Sequence, residues 1–328
     1  MYLEYPSTQD PALKLFAAFE PAREPRPMMV YMHGWHGQIK KSHSDNVNEQ
    51  AEQGWFSIRP EMRGRGDSTG RPDCNGWELQ DVVDAVEFAR RTFVGRILHP
   101  ELVYLRGGSG GGGNVFAQVG KFPDYFCRAH SSCGISDYEQ WYREDTMGEF
   151  RDEMNPWIGC SPDENAEAYA SRSGLATVQN LMIPLQVVHG ETDIRVPSAH
   201  SRRFVQKAAA LGKGNLVEYH ELKGVGTRNH WGGITPEQEK FIDDVSREFM
   251  ARPTREAFIP CRGSLAIAGY LKTRSFEVIL DSIDRVGMVS YDLDASRFDI
   301  AAPTAKTALL RVRTSEGEWA ACRVDTRR

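Results

Sequence analysis

The chain has 328 residues, 40% hydrophobic and 26% charged, with a net charge of −5, the profile of a globular protein with a well-filled core. That charge gives no electrostatic reason to expect nucleic acid or an anionic membrane as a partner. No apolar run approaches the roughly 18 to 20 residues of a membrane span, and the start "MYLEYPSTQDPALKL" has no signal-like core, so a cytoplasmic location is expected.

In chain order, "LKLFAAFE" (13–20) and "MMVYMHG" (28–34) predict strands, and "NVNEQAEQG" (46–54) a helix stopped by Gly54. "WFSIRPEMRG" (55–64) reads as a strand. "NGWELQDVVDAVEFARRTF" (75–93) places Leu79, Val82, Val83 and Val86 at near-helical spacing. "ELVYLR" (101–106) is a short strand, "NVFAQVGKF" (114–122) a helix and "YFCRAHSS" (125–132) extended. Beyond an aromatic, polar stretch come a strand at 182–190, a helix at 198–212, a strand at 216–222 and a helix at 236–251. Apolar strands alternating with helices predict an α/β fold whose mostly parallel sheet is covered on both faces. From about Pro253 the pattern changes to short alternating stretches, with a hairpin at 313–324. The expected organisation is a catalytic domain over 1–252, with an inserted cap at about 133–181, and a small β-rich accessory domain over 253–328. The six cysteines are scattered, without metal-site spacing, and read as buried free thiols.

"LRGGSGGGGNVF" (105–116) has two readings. Seven consecutive Gly or Ser residues resemble a flexible linker, but an apolar strand leads in and an apolar helix leads out. Glycines at a helix head cost about 1 kcal/mol each where they are truly helical, so something local must require them. Gly107-Gly108-Ser109-Gly110-Gly111 fits the G-x-S-x-G turn that exposes a nucleophile between strand and helix. In that arrangement an acid and then a histidine follow, each beyond a later strand. "LQVVHGETDIRVP" offers Asp193 and "LVEYHELKGVGTRNHWGG" offers His230, in that order. Two backbone N–H groups would form an oxyanion hole: Gly110, and Trp35 in "YMHGWHGQ" (31–38).

On these residues, from about 10 to 250, the chain resembles the α/β-hydrolase superfamily. "HGETDIRVPSAHS" is similar to the acid loop of prolyl oligopeptidase-type hydrolases. "RPEMRGRGDS" (59–68) is similar to their R-G-x-G-x-S turn, with Glu61 where Asp is more usual. "GGSGGGG" and "NHWGG" resemble acetyl xylan esterase relatives. Prolyl oligopeptidases usually carry Tyr after the nucleophile, where this chain has Gly110, and an N-terminal propeller for which the first ten or so residues leave no room.

The resemblance implies acyl transfer by Ser109, His230 and Asp193 without a cofactor or metal. The expected partner is a small ester substrate, such as an acylated carbohydrate. A peptidase on short peptides is the rival enzyme, and a binding protein with a vestigial site the rival from another class. Self-association stays open. In the cap, Trp141, Tyr142 and Trp157 either shape the substrate pocket or pack the cap onto the sheet, and Trp231 beside His230 is a further candidate wall.

Overall fold

The computed structural model describes residues 1–39 and 54–327. The helix expected at 46–54 falls on residues outside that set, apart from Gly54.

Among the described residues, eight strands form the main sheet: β1 (Tyr2–Pro6), β2 (Lys14–Glu20), β3 (Met28–Met32), β4 (Phe56–Pro60), β5 (Val103–Gly108), β6 (Arg128–Ser132), β7 (Leu185–Gly190) and β8 (Val217–Leu222). Their order is β1-β2-β4-β3-β5-β6-β7-β8. The first two strands pair antiparallel, β2 joins β4 antiparallel, and every later neighbour is parallel. Burial on both faces explains why the central strands read as unbroken apolar runs, β7 being buried at all six positions. The first strand escaped the sequence reading. Of its five residues only Tyr5 is buried, so no apolar period announces it.

Helices α1 (Glu78–Thr92) and α2 (Gly110–Lys121) cross between the early strands. Residues 133–181 carry α3 (Tyr138–Glu144), α4 (Arg151–Ile158), α5 (Ala166–Ala170) and a 3₁₀ turn, Gly174–Asn180. This insertion has its own apolar cluster, built on Trp35, Ile135, Tyr138, Trp141, Phe150 and Met154. Helices α6 (Ala199–Ala210) and α7 (Pro236–Ala251) complete the cover. A capping box between Thr235 and Gln238 opens α7.

The C-terminal residues form a second, antiparallel sheet: β9 (Arg262–Ala268), β10 (Tyr270–Lys272), β11 (Phe276–Leu280), β12 (Val286–Asp292), β13 (Arg297–Ala301), β14 (Thr307–Arg313) and β15 (Trp319–Asp325). β14 and β15 make the expected hairpin, with Arg313 opposite Trp319. The sheet docks on the α/β region through Tyr270, whose ring stacks on Trp77 (4.5 Å between centroids) and whose hydroxyl donates to Gly76 O (2.9 Å). Arg172 reaches across to Ile283 O (2.8 Å) and Asp284 (2.7 Å).

All six cysteines are free. Cys74, Cys127 and Cys133 are buried as expected, but Cys261 and Cys322 are exposed, because they lie just before β9 and on the outermost strand β15.

Candidate active site

β5 runs into Ser109, which has φ 56° and ψ −123°, a conformation that costs an L-residue free energy and persists only when its surroundings impose it. The Ser109 N–H donates to Ser132 O (2.8 Å), fixing the turn against β6. Helix α2 then begins at once, at Gly110, four residues before the start at 114 that the sequence pattern predicts. The glycines are helical and buried because neighbouring backbone leaves no room for side chains. A Cβ on Gly110 would lie 2.5 Å from Trp35 N, and one on Gly111 2.4 Å from Met32 O. The run is the packed head of a helix rather than a linker.

The loops after β7 and β8 bring Asp193 and His230 to this turn. His230 Nδ1 lies 2.6 Å from Asp193 Oδ2, and His230 Nε2 lies 2.8 Å from Ser109 Oγ. Asp193 is buried, and its Oδ1 accepts from the N–H groups of Arg195 (2.9 Å) and Val196 (3.0 Å). Burial alone would raise its carboxyl. Hydrogen bonds from His189 and His230 outweigh burial and hold it well below the usual carboxylate range. An ionised carboxylate only accepts hydrogen bonds, so Nδ1 of His230 carries the proton and Nε2 presents its lone pair to the Ser109 hydroxyl.

Trp35 N meets Gly110 at the nucleophile turn. Gly110 is the first residue of α2, whose N–H has no intrahelical acceptor. The Trp35 N–H donates to no protein acceptor among the described residues. The ring of His33 is engaged at both nitrogens, with Nδ1 2.9 Å from Gly34 O and Nε2 3.0 Å from Glu61 O. Burial lowers its pKa and so keeps the ring neutral, and a neutral ring donates only one of these two contacts. It is held away from the role of base.

The aromatic candidates divide. Trp141 is buried, donates Nε1–H to Arg195 O (2.9 Å) and packs on Trp35 (4.9 Å), and it also lines a cavity of about 360 Å³ with Glu144, Phe150, Arg195 and Arg228. Tyr142 packs edge-on against Tyr169 (5.5 Å), within the 133–181 segment. Trp157 lies against Trp35 (4.9 Å) and lines a cavity of about 20 Å³ that includes Gly110. Trp231 is half-buried, its N–H donating to Asn229 Oδ1 (3.3 Å). Packing within the 133–181 segment and against Trp35 is thus the larger task for the first two.

Sequence reasoning missed His189 and Cys133. His189, fully buried, is fixed by Val196 O (2.8 Å) and Ser201 Oγ (2.7 Å) and stands 3.5 Å from Asp193. The only signal for it was a polar residue inside the apolar run "LQVVHG". The donor atoms of Cys133, Asp193 and His230 lie within 4.8 Å of one another.

Parallel strands whose C-terminal ends gather a serine, a histidine and a buried aspartate define a serine hydrolase of the α/β-hydrolase class. The sequence model of the prolyl oligopeptidase family matches residues 51–249, more than half of the chain, and the chain belongs to that family. It is similar to the uncharacterized peptidase YtmA of Bacillus subtilis, at 24% identity over 188 residues, 56% of this chain and 70% of that one. Among solved structures it resembles an acylaminoacyl peptidase of Pyrococcus horikoshii (TM-score 0.63, 23% identity, 79% of this chain and 42% of that one). It also resembles an esterase of Pyrococcus furiosus (TM-score 0.56, 14% identity, 76% of this chain and 90% of that one). The chain therefore spans less than half the length of the acylaminoacyl peptidase. Among the described residues no helix is long and apolar enough to cross a membrane.

Proposed function

We propose that this chain is a serine ester hydrolase for small acyl esters, acylated carbohydrates among them, working by two-step acyl transfer. The observation that carries the reading is the hydrogen-bonded series Ser109–His230–Asp193. Ser109 Oγ attacks the ester carbonyl while His230 Nε2 takes its proton, and Asp193 stabilises the resulting imidazolium. The N–H groups of Gly110 and Trp35 hold the oxyanion, each donor contributing about 3 to 4 kcal/mol. His230 protonates the departing alcohol, and water then releases the acyl group by the same steps. No step calls for a cofactor.

Two features support an ester over a peptide. The cavity beside Gly110 is about 20 Å³, little more than the space a single water occupies. The acids that line the cap cavity are already engaged, Glu144 with His200 (3.2 Å), Asp145 with three backbone N–H groups and Glu149 with Arg195. None of them is free to take a peptide's amino terminus. The rival peptidase reading draws on the family and on the names of two of the relatives. Turnover of 4-nitrophenyl acetate beside an aminoacyl 4-nitroanilide separates them. Ester hydrolysis in large excess supports the proposal, and comparable anilide turnover replaces it with a peptidase.

A further inference from the structure

The R-G-x-G-x-S turn carries two arginines with different commitments. Arg63 is locked in a buried two-point ion pair with Asp81 (2.8 and 2.6 Å). Arg65, partly exposed, has no ion pair among the described residues. Its guanidinium lies over the Trp157 ring, 4.3 Å from the centroid, and Trp157 in turn lies on Trp35. Stacking occupies the face of a guanidinium and leaves its in-plane N–H edge free to meet a carboxylate.

Arg65 and Trp157 line the same small cavity as Gly34, Trp35, Glu78 and Gly110, and two of these, Trp35 and Gly110, carry the backbone N–H groups proposed for the oxyanion. Neither of the two carboxylates that feel Arg65 is ion-paired with it. Glu61 accepts from Ile39 N (2.7 Å) and Glu78 from Asn75 N (2.6 Å), and burial pushes both carboxyls up towards the neutral form. The cavity wall therefore carries a guanidinium with no ion pair among the described residues, and a volume of about 20 Å³ admits a small terminal group rather than a whole acyl chain.

We propose that Arg65 is a specificity-determining residue that selects substrates whose acyl chain is short and ends in a carboxylate, that is, half-esters of small dicarboxylic acids. This rests on the hydrolase reading of Ser109. The carboxylate meets the guanidinium edge at the cavity mouth, and the scissile carbonyl then lies against Gly110 and Trp35.

The test compares monoethyl succinate with ethyl succinamate, which has the same shape without the charge, and with ethyl butyrate. Ethyl butyrate turnover reports on the hydrolase reading alone. Binding of the first two esters to Ser109→Ala, measured by calorimetry, reports on Arg65 whether or not turnover is seen. The wild-type kcat/KM and the Ser109→Ala affinity should favour the succinate over the succinamate by about tenfold, the size of one charge-assisted hydrogen bond. Most of that preference should arise in KM and shrink as salt is added. Arg65→Met should abolish the preference and Arg65→Lys should restore part of it. Equal affinity for the two esters in Ser109→Ala, or a preference that survives Arg65→Met, overturns the proposal.

Discussion

Asp193 holds a charge where burial alone would remove it. Two backbone N–H groups and the rings of His189 and His230 make the ionised form the favoured one. Its folded pKa is depressed. The stability it contributes is therefore complete above the ordinary carboxyl range near 3.9 and is lost as pH falls through the lowered value. Acid titration of unfolding should show Asp193→Asn losing less stability than wild type below about pH 4. The same variant should keep its fold at pH 7 yet lose on the order of 10⁴-fold in kcat, because an amide no longer fixes the His230 tautomer. Glu61 behaves in the opposite sense. Burial, only partly offset by the Ile39 N–H, raises its carboxyl to about 7. The folded state then holds the proton more tightly, and stability declines as pH rises from about 4.5 to about 7. Melting temperatures at pH 5 and pH 8 should differ less in Glu61→Gln than in wild type, and an unchanged difference contradicts this account. At this scale the meeting of Ser109, Asp193 and His230 was legible because each follows a strand in the expected order. His189 and Cys133 were not, since their meaning depends on which side chains the fold places behind the acid.

At the scale of elements, the glycine run links sequence to backbone. Its helix was expected at 114 because propensity disfavours glycine, yet it begins at Gly110 because β3 and the Trp35 loop press against it. Gly111→Ala forces a Cβ into the Met32 carbonyl and should cost about 1 to 3 kcal/mol, with loss of activity. Gly214→Ala, where the nearest atom to the new Cβ is 3.4 Å away, should change stability little. Urea denaturation of the pair checks this, and equal costs would contradict the packing argument. The central strands were readable because burial on both faces writes an apolar run into the sequence, and α1 because Leu79, Val82, Val83 and Val86 recur at near-helical spacing. β1, half-exposed and held by its register with β2, writes none.

Across the whole molecule, the two sheets are bound by polar contacts as well as apolar ones. Tyr270 of β10 belongs to the core of the main sheet. Lys121, buried in α2 and held below its ordinary pKa by burial, reaches Ala268 O (2.5 Å). Arg172, buried in the insertion, ends on Ile283 O and Asp284. Such groups are satisfied only while both parts are folded together. Calorimetry should therefore give one cooperative transition, and Arg172→Leu should lower its midpoint, whereas two separable transitions would show an independent C-terminal sheet. The composition shift near Pro253 revealed the second sheet, but its docking rests on single residues with no pattern of their own.

The central claim is that Ser109 is the nucleophile activated by His230. Its most direct test is labelling with a fluorophosphonate, followed by peptide mass spectrometry. The account predicts one adduct, on Ser109, formed far more slowly in His230→Ala and absent in Ser109→Ala. Rapid labelling at another residue, or labelling of Ser109 that does not depend on His230, would contradict it.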